Sequence, residues 1–140
     1  MQTRYWEHFE HQADIGVRGI GATPSEAFEQ AALALTAVVL DPGQLTADQV
    51  RQVDCEAPDI ELLLAEWLNQ IIYLMATEHL LFCRYEVQLD DHRLHATLYG
   101  EKLDRQRHQP TVEIKGATYT ALAVQQTENG GWIAQTVVDV

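Results

Sequence analysis

Two aspartates, a chain end and a histidine are the residues whose types and spacing suggest chemistry. The last nine residues, Trp132 to Val140, keep a strand pattern to the final position, which sets a terminal carboxylate beside the side chain of Asp139. Chain ends ordinarily fray, so a strand of this kind predicts that something holds it. If an N-terminal hairpin brings Asp14 nearby, three carboxylates share a small volume, where they repel one another or take up protons. A hard cation resolves that conflict. Calcium accepts about six to eight oxygens from carboxylates, backbone carbonyls and water in flexible geometry. The competing reading makes Asp139 a solvated strand end and Asp14 a turn residue. His11, three residues before Asp14, is either a general base or ligand, or a hydrogen-bonded structural side chain.

The second concentration of chemistry is the segment from Gly100 to His108, GEKLDRQRH, which is dense in charge. It reads as an exposed loop, serving either as a solubilising connection or as a partner-facing surface that includes Glu101 and Lys102. Lys102 and Lys115 are the only two lysines. Each either pairs with a neighbouring carboxylate or presents a point charge to a nucleotide phosphate or a partner acid. No nucleophile elbow, P-loop or HExxH motif supports a standard hydrolase or kinase site. Cys55 and Cys83 have no CxxC partner, so neither a zinc knuckle nor a redox pair is visible, and both read as reduced, buried fillers.

The elements that must position these residues follow from periodicity. Residues 5–11 and 14–20 read as two strands around a Gln12-Ala13 link. Thr23 as cap, Pro24 at the first helical position and Glu26 three residues after the cap announce a helix. Its apolar stripe runs from Phe28 to Val39, and Asp41-Pro42-Gly43 stops it. A strand at 50–56 precedes a second helix over about 60–77, with Asp59 as its cap. That helix is apolar over most of its circumference and is predicted to be the central, most buried element. From Leu81 the period becomes two, giving a hairpin turned at Asp90-Asp91, and two further strands near 112–127 and 132–139 are joined through Asn129-Gly130. The pattern predicts an α+β fold: a mostly antiparallel sheet with two main helices packed on one face.

With 140 residues the chain has room for one domain, 1–140. Its 46% hydrophobic and 21% charged residues exclude the composition of disordered chains. A net charge of −12 argues against holding nucleic acid unaided, because phosphate backbones reward the opposite sign. The start has no secretory pattern, and the longest apolar stretch, Ile71 to Ala76, is far short of a membrane span, so the expected location is the cytosol.

At five places the residues resemble the archease family. His11-Gln12-Ala13-Asp14-Ile15 is similar to its H-x-A-D-[IV] signature, and Thr23 to Ala32 to its T-x-x-E-A-F-x-x-A-A helix start. Gly100-Glu101-Lys102 with Asp104 and Arg107-His108 resembles its G-E-x-x-D-x-x-[RK]-H loop. Glu113-Ile114-Lys115 with Thr118-Tyr119 resembles its E-[VI]-K-A-[VI]-T-Y strand, and Val138-Asp139-Val140 its aliphatic-D-aliphatic terminus. The chain departs from the pattern at Gln12, Gly116 and Thr120. The resemblance implies a protein that is not itself an enzyme. It would activate an RtcB-type RNA-splicing ligase, promoting guanylylation of the ligase and multiple turnover in tRNA splicing or RNA repair. RNA would be met only indirectly, through the ligase. Carried over by position, the family's metal site, which binds calcium or another divalent cation, falls on Asp14, Asp139 and the terminal Val140. Its functional lysine falls on Lys115, and Glu101, Lys102 and His11 are further candidates for activation or interface. The alternatives are a metal-dependent hydrolase using His11 and Asp14, and a general chaperone.

Overall fold

Alternating residues near the start of the chain form β1 (Tyr5–His11) and β2 (Asp14–Gly21), an antiparallel hairpin in register from Tyr5 opposite Ile20 to His11 opposite Asp14. The turn is two residues long and is made by Gln12 in the left-handed region at φ 56°. The computed structural model describes residues 3–140. Helix α1 (Pro24–Val39) begins as its sequence requires: Thr23 Oγ1 accepts from Glu26 N at 3.2 Å. The Glu26 carboxylate reaches back to Ala22 N at 3.1 Å, one residue earlier than in the usual capping box. Small residues let α1 sit directly on β2. A Cβ at Gly19 would lie 2.1 Å from Ala27 O, so only glycine permits this approach.

The remaining elements are β3 (Gln49–Glu56), α2 (Ile60–Glu78), β4 (Leu80–Asp90), β5 (Arg93–Lys102), the single turn α3 (Arg105–His108), β6 (Gly116–Ala117), β7 (Ala123–Gln126) and β8 (Trp132–Asp139). Asp59 caps α2 by accepting from Leu62 N at 2.8 Å, and Asp91 at φ 57° turns the β4–β5 hairpin. Every strand pairing is antiparallel, and the fold is α+β as expected. The strands divide between two sheets, one ordered β1-β2-β8-β6 with β7 also on β8, the other β3-β5-β4. Helix α1 packs against β2 and β8 of the first sheet and β4 of the second, and so lies between them. The buried side chains form one cluster, in which Trp67 meets Tyr85 edge-on and donates Nε1–H to Phe28 O at 3.2 Å.

Three expectations are corrected. Helix α1, with nine of sixteen residues buried, is the more enclosed helix, whereas α2 buries seven of nineteen and leaves Tyr73 in solvent. Both helices touch strands of both sheets, but α1 is pressed closely onto β2 and β4, whereas α2 meets its neighbours more sparsely and keeps a solvent face despite its larger apolar residues. The strand expected over 112–127 is broken into β6 and β7, because Ala121 takes φ 55° and Thr118 and Thr120 give their carbonyls to Thr136 Oγ1. Neither cysteine is fully buried; both are free and half-exposed. Among the described residues no helix is long and apolar enough to cross a membrane.

Candidate functional site

The carboxylates singled out from opposite ends of the chain come together because β2 and β8 are neighbours. Their pairing runs from Gly21 opposite Trp132 to Ile15 opposite Val138. Asp14 and Asp139 each stand one residue beyond that last pair, at the same end of the sheet, where Asp14 pairs with His11 and Asp139 with Gly116. Side chains alternate along a strand. Ile15 and Val138 pack against the core, so Asp14 and Asp139 project together from the opposite face. Asp139 is exposed and Asp14 half-buried. Val140 turns its side chain back onto the core, which anchors the end of the strand.

Two flanking elements complete this end of the sheet. β1 sets His11 directly opposite Asp14. β6 sets Gly116 opposite Asp139, and Lys115 N donates to Asp139 O at 2.8 Å. Lys115 is therefore next to the carboxylate pair in the backbone register, with its side chain exposed. The adjoining stretch is stitched to β8 by Thr118 N and Oγ1, which donate to Val137 O at 2.9 and 2.7 Å. Asn69 on α2 accepts from Ala117 N at 3.0 Å and ties β6 to the helix. Sequence reasoning missed Asn69; the adjacent amides Asn69-Gln70 inside an otherwise apolar helical run were the available signal.

Two carboxylates on one face, close to a chain end, offer only hard oxygen donors. That donor set fits a cation such as calcium, which completes its shell with carbonyls and water. Among the described residues no group of three or more His, Cys, Asp or Glu side chains is placed to hold a metal. Asp14 and Asp139 are therefore not part of a three-residue group of that kind, with His11 or with any other described side chain.

The charged segment from Gly100 to His108 is exposed at Lys102 and over 104–107, as expected, but it starts inside β5 and its Glu101 and His108 turn inward. Glu101 and His108 are each only 4% exposed. Glu101 accepts from Thr46 N and from His108 Nε2, the latter at 3.2 Å, and pairs with the Arg107 guanidinium. His108 Nδ1 in turn accepts from Asp104 N at 2.8 Å, so the hydrogen-bond pattern assigns the ring proton to Nε2. Lys102 Nζ donates to Glu78 O at 2.9 Å and caps the end of α2. The correction has a simple cause. Charge density predicts solvent only where charges lack mutual partners, and Glu101, Arg107 and His108 are one another's partners.

A profile of the Archease protein family (MTH1598/TM1083) matches residues 6–140. The chain belongs to the archease family. It is 39% identical to "Protein archease" of Pyrococcus abyssi over 139 residues, covering 96% of this chain and 98% of that one. It is 35% identical to "Protein archease" of Methanosarcina mazei over 144 residues, covering 99% and 98%. The solution structure of Methanobacterium thermoautotrophicum protein 1598 superposes with a TM-score of 0.84 at 29% identity, over 96% of this chain and 98% of that one. A Thermotoga maritima crystal structure, described as an archease and possible chaperone, shares the fold with a TM-score of 0.57 at 18% identity, over 96% of each chain.

Proposed function

We propose that the chain is a cytosolic, non-catalytic activator of an RtcB-type RNA-splicing ligase, promoting guanylylation of the ligase and repeated turnover in tRNA splicing or RNA repair. The observation that carries this reading is the convergence of Asp14, Asp139 and Lys115 at one end of the five-stranded sheet, from three separate parts of the sequence. Asp14, Asp139 and the terminal Val140 would hold calcium or another divalent cation. Bound there, the cation supplies positive charge that can polarise or position a phosphate oxygen.

The chain's own residues contribute the rest. With the β2 and β8 backbones already paired beside both positions, mainly the two aspartate side chains would remain to be ordered on binding. The exposed Lys115 presents a mobile ammonium to the ligase or to its nucleotide. The net charge of −12 suits docking beside the basic face that an RNA ligase requires, and RNA is reached only through the ligase. A second reading, a metal-dependent hydrolase, draws on His11 standing opposite Asp14. Phosphoester turnover by the purified chain alone, lost in His11→Ala, would establish it.

The test is a guanylylation assay of the cognate ligase with and without this chain. Wild-type chain is expected to raise the guanylylated fraction and Asp139→Ala to lose that effect. Because Asp139 is exposed, the variant should keep its melting temperature, surface changes being worth within about 0.5 kcal/mol. Stimulation by Asp139→Ala equal to wild type would refute the assigned site.

A further inference from the structure

We propose that the buried Glu101–His108 pair is a clip that positions Lys115, an assignment that rests on the activator reading for its functional half. The clip begins with a carboxylate that is tolerated inside the protein only because it is fully engaged. Glu101 meets Thr46 N, His108 Nε2 and the Arg107 guanidinium. A buried carboxylate robbed of such partners is strongly destabilising. His108 is held from its other side by Asp104 N, and the Asp104 side chain caps the same turn at Gln106 N and Arg107 N, at 3.1 and 3.4 Å. Residues 104–108 are therefore closed on themselves and fastened to the end of β5.

What leaves this clip is the stretch leading to Lys115. Gln109 takes φ 51°, and no strand or helix is formed from there to β6. Between the clip and β6 the order comes from few fastenings. Thr111 N and Oγ1 donate to Val39 O at 3.0 and 3.1 Å, Ile114 is buried, and Lys115 N donates to Asp139 O at 2.8 Å. A segment with so few hydrogen bonds belongs to the low-stability end of a fold. Its path to Asp139 departs from the clip and is then pinned only at Thr111 and Ile114, so the clip sets the end from which those few fastenings are reached. The buried charges absent from any mechanism thus gain a purpose: they hold the lysine-bearing segment that leads into β6 beside β8, from seven residues away.

Amide hydrogen exchange on the full chain, beside the guanylylation assay, tests this with His108→Ala, His108→Gln and Glu101→Gln. In His108→Ala the Lys115 amide is expected to exchange at least about tenfold faster, while amides of the β1–β2 hairpin keep their wild-type rates. His108→Gln retains a donor for Glu101 and should restore both Lys115 protection and ligase stimulation. If His108→Ala fails to fold, Glu101→Gln is compared with wild type and the same local loss is expected. Unchanged Lys115 exchange in the folded variants overturns the clip. So does a uniform acceleration across the whole sheet, which would mark a merely structural role. If wild-type chain does not stimulate the ligase, the activator reading falls while the exchange comparison still decides the clip.

Discussion

Asp14 and Asp139 show how residue types can single out positions that the fold then brings to one end of a sheet. Two acids at opposite ends of a sequence have no spacing that relates them; the β2–β8 register supplies the relation. The pair was legible because a strand running to the end of the chain called for a reason, and because the family motifs fell on the same positions. Glu101 and His108 were not legible in this way. Their burial depends on Thr46 N and Arg107 arriving from the loop before β3 and from α3, and no local pattern announces a non-local partner. At the same scale, Cys55 tests whether partial burial controls reactivity. Burial, with smaller contributions from the Glu66 and Asp54 carboxylates, pushes its thiol up to about 11. A thiol at its ordinary value near 8.5 alkylates readily at mildly alkaline pH. In a Cys83→Ser background, Cys55 alkylation by iodoacetamide should therefore remain slow at pH 8.5 and climb toward pH 11. A midpoint near 8.5 would show that the thiol is freely solvated.

At the scale of elements, the caps and turns were the most readable features, since each depends on residues within three or four positions. Thr23, Asp59 and Asp91 act where their types place them. The strand expected over 112–127 failed because hydroxyl-to-carbonyl bonds from Thr118 and Thr136 compete with a continuous ladder. The division into two sheets depends on α1 being narrow enough to enter between them, which its alanines allow. Glu29 sits at one of these contacts, where its carboxylate on α1 accepts from Val87 N on β4 at 2.8 Å. Burial raises its pKa, and the Val87 bond opposes that only in part. A carboxyl raised on folding binds its proton more tightly in the native state, so stability falls as pH climbs from the unfolded value, about 4.3. Glu29→Gln keeps an acceptor for Val87 and removes the charge. Urea unfolding should find Glu29→Gln more stable than wild type at pH 7, with the difference shrinking toward pH 4. A difference of the opposite sign at pH 7 would mean that the buried charge is stabilising.

Over the whole molecule, the charge balance and the sheet topology act together. Twenty-one acids against nine lysines and arginines produce a field that repels nucleic acid and attracts a basic partner. The five-stranded sheet brings His11, Asp14, Asp139 and Lys115 to one end, whereas Glu101 and Lys102 lie on β5 of the other sheet. Electrostatic steering of this kind is screened over about 8–10 Å at physiological salt. The association rate with the cognate ligase should therefore fall by about tenfold or more between low and high ionic strength. Stopped-flow mixing across a salt series measures it, and a flat rate would assign recognition to shape and apolar contact instead.

The claim on which the account depends is that oxygens from both ends of the chain gather around one cation. Calorimetric titration of calcium into metal-free chain tests it without any ligase present. The expected result is one binding event in wild type, weakened at least about 10–100-fold in Asp14→Asn and in Asp139→Asn, a loss already seen when only outer-shell partners of a metal are removed. Calcium binding of unchanged strength in both folded variants would contradict it.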